Sequence, residues 1–324
     1  MTLSRTEYLH NSTSPQTESC IWRLISRNNT IIKLNEGDKG LPFYCIHALA
    51  GDAGSYKELV SALGPNQRIY GIQADKSTLH SDLVGSIELL AQHYVDVLTS
   101  FQPDGPFVLG GWSIGAVIAF EMAHQLKALG RVVPLVAVFD GILANVRRGI
   151  RIWDPRYCWH LASNLPQWFI NDLIEEHHSL SRRIRSKIRA ITQISKRKGR
   201  TNSYWHKIDT FVNTTGWLPE HVSFARKLYD AGNAYIPKPY EGRVIVYAAK
   251  TQPLFRPLQV EAAWGQVCSA IETVRIDGTH SSFLRQPRVL ALASDLRARL
   301  ELLHREPWST GPGSGRDRRQ RLHR

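Results

Sequence analysis

Short apolar runs and longer amphipathic stretches take turns along most of this chain. The runs at 43–46, 68–72, 107–111, 133–139, 244–248 and 273–276 are bounded by polar or small residues and predict strands. Two further runs, 21–24 and 31–34, predict edge strands. Between the runs, apolar residues recur every three or four positions. Leu83, Ile87, Leu90, Tyr94, Val97 and Phe101 place one apolar stripe along a helix over 82–101. Similar stripes predict helices over 114–129 and 287–303. Strands that alternate with helices imply an α/β fold, a mostly parallel sheet covered on both faces. The chain shows no internal repeat.

One turn in this pattern carries candidate chemistry. The run 107–111 leads into Gly110-Gly111-Trp112-Ser113-Ile114-Gly115, and a helix pattern follows at once. Gly111-x-Ser113-x-Gly115 between a strand and a helix is a nucleophile elbow, which lifts a strained serine above the sheet edge. The flanking glycines let the turn close without Cβ clashes. The same spacing also fits a tight turn that merely contains a serine.

A serine hydroxyl needs a base and an acid to become a nucleophile, and in this arrangement they follow it in the order acid, then histidine. The apolar run 133–139 ends in Asp140, at the carboxyl end of a buried strand. The strand over 244–248 runs on into Lys250-Thr251-Gln252-Pro253, with no acid before Glu261, so Asp140 is the candidate orienter. Among the 13 histidines, His280 follows the last strand and precedes the last helix, on the same sheet edge. His47 ends a strand ahead of the serine and suits an oxyanion loop better, while His93 and His124 fall on helices as satisfied packing or surface residues. Backbone amides of an oxyanion hole are expected from Ile114 and from the loop 47–54.

Taken together, the residues resemble the thioesterase domains that end nonribosomal peptide and polyketide synthases, which are α/β-hydrolases. The resemblance runs over about 21–303. It is carried by Cys45-Ile46-His47-Ala48-Leu49-Ala50-Gly51, Tyr70-Gly71-Ile72-Gln73-Ala74, the elbow, Ala119-Phe120-Glu121-Met122-Ala123 and Gly278-Thr279-His280. It implies that Ser113 is acylated, that His280 is the base and Asp140 its orienter, and that Leu49 and Ile114 supply the oxyanion amides. It also implies no bound cofactor, and a substrate carried on the 4'-phosphopantetheine of an acyl- or peptidyl-carrier protein. Three positions depart from the family pattern: Ala48 stands for a common proline, Asp52 for a loop glycine and Ala116 for a glycine after the elbow. A carboxylate at Asp52 would oppose an oxyanion unless it faces solvent or caps the helix that starts near Ser55.

The interval between Asp140 and Val244 breaks the alternation. It is helical in pattern and contains Trp153, Trp159, Trp168, Trp205 and Trp217. An insertion after the acid-bearing strand is expected to form a lid over the site, at about 145–235. Trp159, Leu161, Leu165, Trp168 and Phe169 are candidates for an acyl channel, or for packing between lid helices. The net charge is +13. The stretch 145–210, with 14 Lys/Arg against 5 Asp/Glu, supplies most of it, and the tail 305–324 the rest. Such a lid, with Arg182, Arg183 and Arg185, suits docking of an acidic carrier; it equally suits a solvated face. No nucleic-acid motif accompanies the charge.

Residues 1–20 are expected to form a loose arm, 21–303 the catalytic domain, and 304–324 a disordered basic tail. No run reaches the length of a membrane helix and no secretory pattern opens the chain, which predicts a cytoplasmic protein. Cys20, Cys45, Cys158 and Cys268 lack metal spacing and suit buried thiols. Other readings remain at this point: an editing thioesterase acting in trans on stalled carriers, which a start at Met1 without a carrier domain would suit; a carboxylesterase or lipase; and a non-catalytic carrier-binding scaffold.

Overall fold

A computed structural model describes residues 29–143, 217–251 and 259–308. The described residues form a seven-stranded sheet: β1 (Ile31–Lys33), β2 (Lys39–Ile46), β3 (Gln67–Ile72), β4 (Val108–Trp112), β5 (Leu135–Phe139), β6 (Val244–Thr251) and β7 (Ile271–Thr279). Their order across the sheet is β1-β3-β2-β4-β5-β6-β7. Only β1 is antiparallel, pairing Ile31 with Ile72 at the edge; the other pairs are parallel. The chain moves from β2 outward to β3, then returns to place β4 on the other side of β2. In a parallel sheet this switch opens a crevice at the carboxyl ends of the two strands.

Alternate side chains of each strand enter two separate cores. Tyr44, Ile46, Leu109, Val136, Val138 and Val246 face one side. There they meet α3 (Ile87–Phe101), α4 (Ile114–Ala128) and α5 (Pro219–Ala234) through residues such as Tyr94, Phe120 and Phe224. Phe43, Cys45, Val108, Ala137, Phe139 and Ile245 face the other. They are covered by α1 (Lys57–Leu63) and α7 (Val289–Arg305) through Leu59, Leu292 and Leu296. Two shorter helices, α2 (Lys76–His80) and α6 (Val260–Trp264), complete the described elements. Burial on both faces is why the central strands read as unbroken apolar runs.

Some boundaries differ from expectation. The helix over 82–101 is interrupted: a 3-10 turn spans Asp82–Gly85, and α3 starts afresh after Ser86. The Ser86 hydroxyl accepts the Leu89 amide at 3.3 Å, a side-chain cap that competes with a continuous helix. β2 begins at Lys39, before Pro42, and its register with β3 slips between Lys39 and Phe43. A proline without an amide belongs at such an irregularity. The last helix continues to Arg305, past the expected border at 303. Beyond it Trp308 turns back and donates from Nε1 to the Leu303 carbonyl at 2.7 Å, and Glu306 pairs with Arg243 at 2.9 Å.

The expected lid is described only from Trp217 onward. That part holds α5, whose Phe224, Ala225 and Leu228 are fully buried in the main core. Trp159, Trp168, the other channel candidates, the arginines at 182, 183 and 185, the strand at 21–24, Cys20, Cys158 and the arm at 1–20 lie outside the described residues. Among the described residues, no helix is long and apolar enough to cross a membrane.

Candidate active site

Ser113 follows β4 and precedes α4 with φ 58° and ψ −122°, a backbone conformation that side chains rarely adopt. Its neighbours explain how the chain tolerates it. A Cβ on Gly111 would lie 2.1 Å from the carbonyl carbon of Gly115, and one on Gly115 would lie 2.5 Å from the carbonyl oxygens of Ile46 and His47. The missing side chains let the helix start directly against the strand ends. Ala116, where the family pattern has glycine, fits because the matching space is kept across from it. A Cβ on Gly141 would meet the Ala116 methyl at 2.4 Å.

Asp140 takes the first position after β5, also with positive φ (49°). Its strand is locked to the serine's strand, since the Ser113 amide donates to the Phe139 carbonyl at 3.0 Å. Asp140 in turn donates its amide to the Tyr247 carbonyl at 2.8 Å. Its side chain is inaccessible to solvent, with Oδ1 accepting the Ala249 amide at 3.1 Å. Oδ2 lies 2.6 Å from Nδ1 of His280. An ionised carboxylate only accepts, so the ring donates from Nδ1 and its Nε2 is left as the basic nitrogen.

His280 directly follows β7, where Gly278 turns the chain with φ 104°. Trp112, next to the serine, holds it from the other side. The indole and imidazole rings are 5.3 Å apart and inclined by 30°, and Trp112 Nε1 donates to the His280 carbonyl at 3.2 Å. The sequence displays Trp112 inside the elbow motif but gives it no partner. An aromatic residue adjoining the candidate serine was the available signal, and only the return of the chain 168 residues later supplies its role.

The other histidines behave differently. His47 is fully buried and uses both ring nitrogens, Nδ1 toward the Ala48 carbonyl and Nε2 toward the Tyr94 hydroxyl, each at 2.7 Å. Burial lowers its pKa to about 4, so it is a neutral strut beneath the loop. His93 lies 3.4 Å from the Thr78 hydroxyl. His124 packs edge-on against Phe120 and bonds the Lys238 backbone, with only its Nε2 unpartnered among the described residues.

At the crevice, the amides of Leu49 and Ile114 donate no hydrogen bond among the described residues. Ile114 is the first residue of α4, where an amide has no partner within its own helix. Asp52 is buried rather than turned to solvent, and its Oδ1 accepts the Gly54 amide at 2.7 Å, closing the turn that begins the 3-10 segment Gly54–Tyr56. Burial raises its pKa, while the Gly54 amide pulls the other way. Helix α5 touches both loops. Phe224 lies 5.8 Å from His47 ring to ring, and a Cβ on Gly232 would meet Cδ1 of Ile114 at 2.2 Å. Among the described residues no group of three or more His, Cys, Asp or Glu could hold a metal ion. Cys45 and Cys268 are free and buried.

A parallel sheet with a serine elbow at its switch point and an acid and histidine on the strands beyond has the architecture of an α/β-hydrolase. The family model for the thioesterase domain matches residues 42–300, and the chain belongs to that family. Malpibaldin synthetase of Mortierella alpina is 36% identical over 112 residues, covering 35% of this chain. Polyketide synthase PksR of Bacillus subtilis (strain 168) is 34% identical over 110 residues, covering 34%. The chain spans 2% and 4% of the length of these two proteins. The crystal structure of the NocB thioesterase domain from the nocardicin cluster shares the fold. Its TM-score is 0.54 at 21% identity, covering 84% of this chain and 99% of that one.

Proposed function

We propose that this protein is a serine thioesterase that takes an acyl or peptidyl chain from the phosphopantetheine thioester of a carrier protein. Ser113 Oγ attacks the thioester carbonyl carbon while His280 Nε2 takes the hydroxyl proton. Asp140 holds the ring and stabilises the imidazolium as it forms. The tetrahedral oxyanion is received by the amides of Leu49 and Ile114. The carbon–sulfur bond then breaks, His280 returns the proton to the departing thiolate, and an acyl-Ser113 ester remains. Water, or an amine or hydroxyl of the acyl chain itself, attacks that ester with His280 again as base. The released product is an acid or a ring accordingly. No metal or bound cofactor enters these steps.

The observation that carries this reading is the 2.6 Å pair of His280 and Asp140, with the His280 ring packed on Trp112, the neighbour of a serine held at φ 58°. Family membership supports the thioester as substrate. Similarity to synthetases supports a carrier as the donor of that thioester. The excess of Lys and Arg over 145–210 supports an acidic face on the carrier.

Mass spectrometry tests the reading directly. The protein is incubated with acyl-pantetheine mimics of varied chain, and a mass adduct at Ser113 is expected. Ser113→Ala is expected to abolish the adduct and to lower turnover by about 10⁶-fold or down to the uncatalysed rate. Near-normal turnover by that variant removes Ser113 from the nucleophile role.

A further inference from the structure

Tyr56 closes the 3-10 turn after the β2 loop and is wholly buried. Its hydroxyl donates to the Ile46 carbonyl at 2.5 Å and accepts the Trp112 amide at 2.7 Å. Ile46 is the last residue of β2 and Trp112 the last of β4. The ladder between the two strands ends at the pair Ile46 and Gly111. In a parallel ladder that last pair is closed by the Trp112 amide facing the Ile46 carbonyl. The phenol oxygen bonds both groups of this closing rung. It ties the strand ends at the point where the chain leaves for Leu49 on one side and for Ile114 on the other. There is little slack nearby, since a Cβ on Gly115 would already press on the Ile46 carbonyl oxygen at 2.5 Å.

We propose that Tyr56 is a positioning residue for the oxyanion hole, its hydroxyl setting the separation between the loop that carries Leu49 and the elbow that carries Ile114. The inference rests on the acyl-serine reading above. A hydroxyl suits this task because it donates and accepts at once, bridging a carbonyl and an amide that both point at it. Burial raises the phenol's pKa well above its ordinary value, so the proton stays on. Without the oxygen, the Trp112 amide and the Ile46 carbonyl lose their shared partner and the strand ends move. That movement shifts Ile114 relative to Leu49. An oxyanion hole acts through donors fixed before charge develops, so the loss falls on the transition state more than on substrate binding.

The test compares Tyr56→Phe with Tyr44→Phe. Tyr44, on β2, is equally buried, but it faces the opposite core and donates to Gln102 Oε1 at 2.6 Å, away from the crevice. It therefore measures the general effect of losing a buried hydroxyl. Two rates are read: turnover of an acyl-pantetheine, and phosphonylation of Ser113 by a fluorophosphonate, in which Ser113 Oγ displaces fluoride. Tyr56→Phe is expected to lower kcat and the phosphonylation rate by about 10- to 100-fold with KM within about twofold. Tyr44→Phe is expected to leave both rates within about twofold at a similar loss of Tm. Equal rates in the two variants overturn the inference. A wild-type protein that is not labelled at Ser113 overturns the acyl-serine reading, and this inference with it. Labelled wild-type protein with an undiminished Tyr56→Phe overturns the role of Tyr56 alone. Should Tyr56→Phe fail to fold, 3,5-difluorotyrosine at position 56 keeps the ring and its oxygen while making the hydroxyl a stronger donor and poorer acceptor. A changed kcat at constant KM then supports the inference, and an unchanged kcat overturns it.

Discussion

The imidazole of His280 and the carboxyl of Asp140 meet at 2.6 Å although 140 residues separate them in the chain. Backbone bonds to the sheet place both residues. Asp140 is fixed by its amide on the Tyr247 carbonyl and by the Ala249 amide on its Oδ1, so the strand β6 grips it twice. His280 is fixed at the end of β7, the neighbour of β6. The pair is thus anchored to two neighbouring strands.

Asp140→Asn keeps the size of the side chain and loses its charge. The amide no longer imposes the Nδ1–H tautomer, so Nε2 is no longer reliably basic. We expect kcat to fall by about 10³- to 10⁴-fold, comparable with orienting acids elsewhere. Steady-state kinetics beside a thermal melt check this, and an active Asp140→Asn enzyme would falsify the assignment of the acid.

Trp112 contributes a ring contact and one hydrogen bond to His280, each worth about 1 kcal/mol. Trp112→Leu removes both and is expected to lower kcat/KM at least about tenfold. Trp112→Phe retains a ring face without the N–H and is expected to lie between. Equal activity in all three proteins would mean that the indole does not steady the base.

At Gly115 two effects oppose each other. Alanine is the better helix residue by about 1 kcal/mol. Its Cβ, however, would press on two backbone carbonyl oxygens at 2.5 Å, and backbone cannot swing aside as a side chain end can. Overpacking of this kind costs about 1–3 kcal/mol. Gly115→Ala is therefore expected to lower the urea midpoint and reduce kcat. A stabilised variant of full activity would contradict the close seating of α4.

His47 links stability to acid. Its pKa falls from 6.5 unfolded to about 4 in the fold, because burial penalises the charged ring. Between these values the unfolded chain binds the extra proton. This contribution is fully present above pH 6.5 and is lost as pH falls toward 4, a change of about 3 kcal/mol at most. Urea unfolding from pH 7 to pH 4 is expected to give a flatter profile for His47→Gln than for the wild type. Parallel profiles would show that other groups carry the acid sensitivity.

The sheet was legible because its central strands are buried on both faces and so read as plain apolar runs, as 135–139 and 244–248 do. The edge strand Ile31–Lys33 is only half-buried and was legible from its pair of isoleucines alone. What escaped were features set by local oxygen atoms. The Ser86 hydroxyl divides an otherwise continuous helical stripe, and the Asp52 carboxyl folds inward to close a turn when solvent was one expected direction. Neither event changes the apolar periodicity, so periodicity cannot report it. The candidate site was legible in its chemistry, since Ser113, Asp140 and His280 each sit at the end of a recognisable strand. Its supports were not. Tyr56 and Trp112 look like ordinary core and motif residues until the chain brings a carbonyl or an amide to them.

The three glycines around the elbow leave almost no room for a side chain there. Any methyl added at Gly111, Gly115 or Gly141 would collide with main chain or with Ala116. The seat of Ser113 is therefore a hard mould, cast once. New preferences in such a protein must be written into parts that do not touch the mould, and the chain's freedom to diversify is set by where those parts begin.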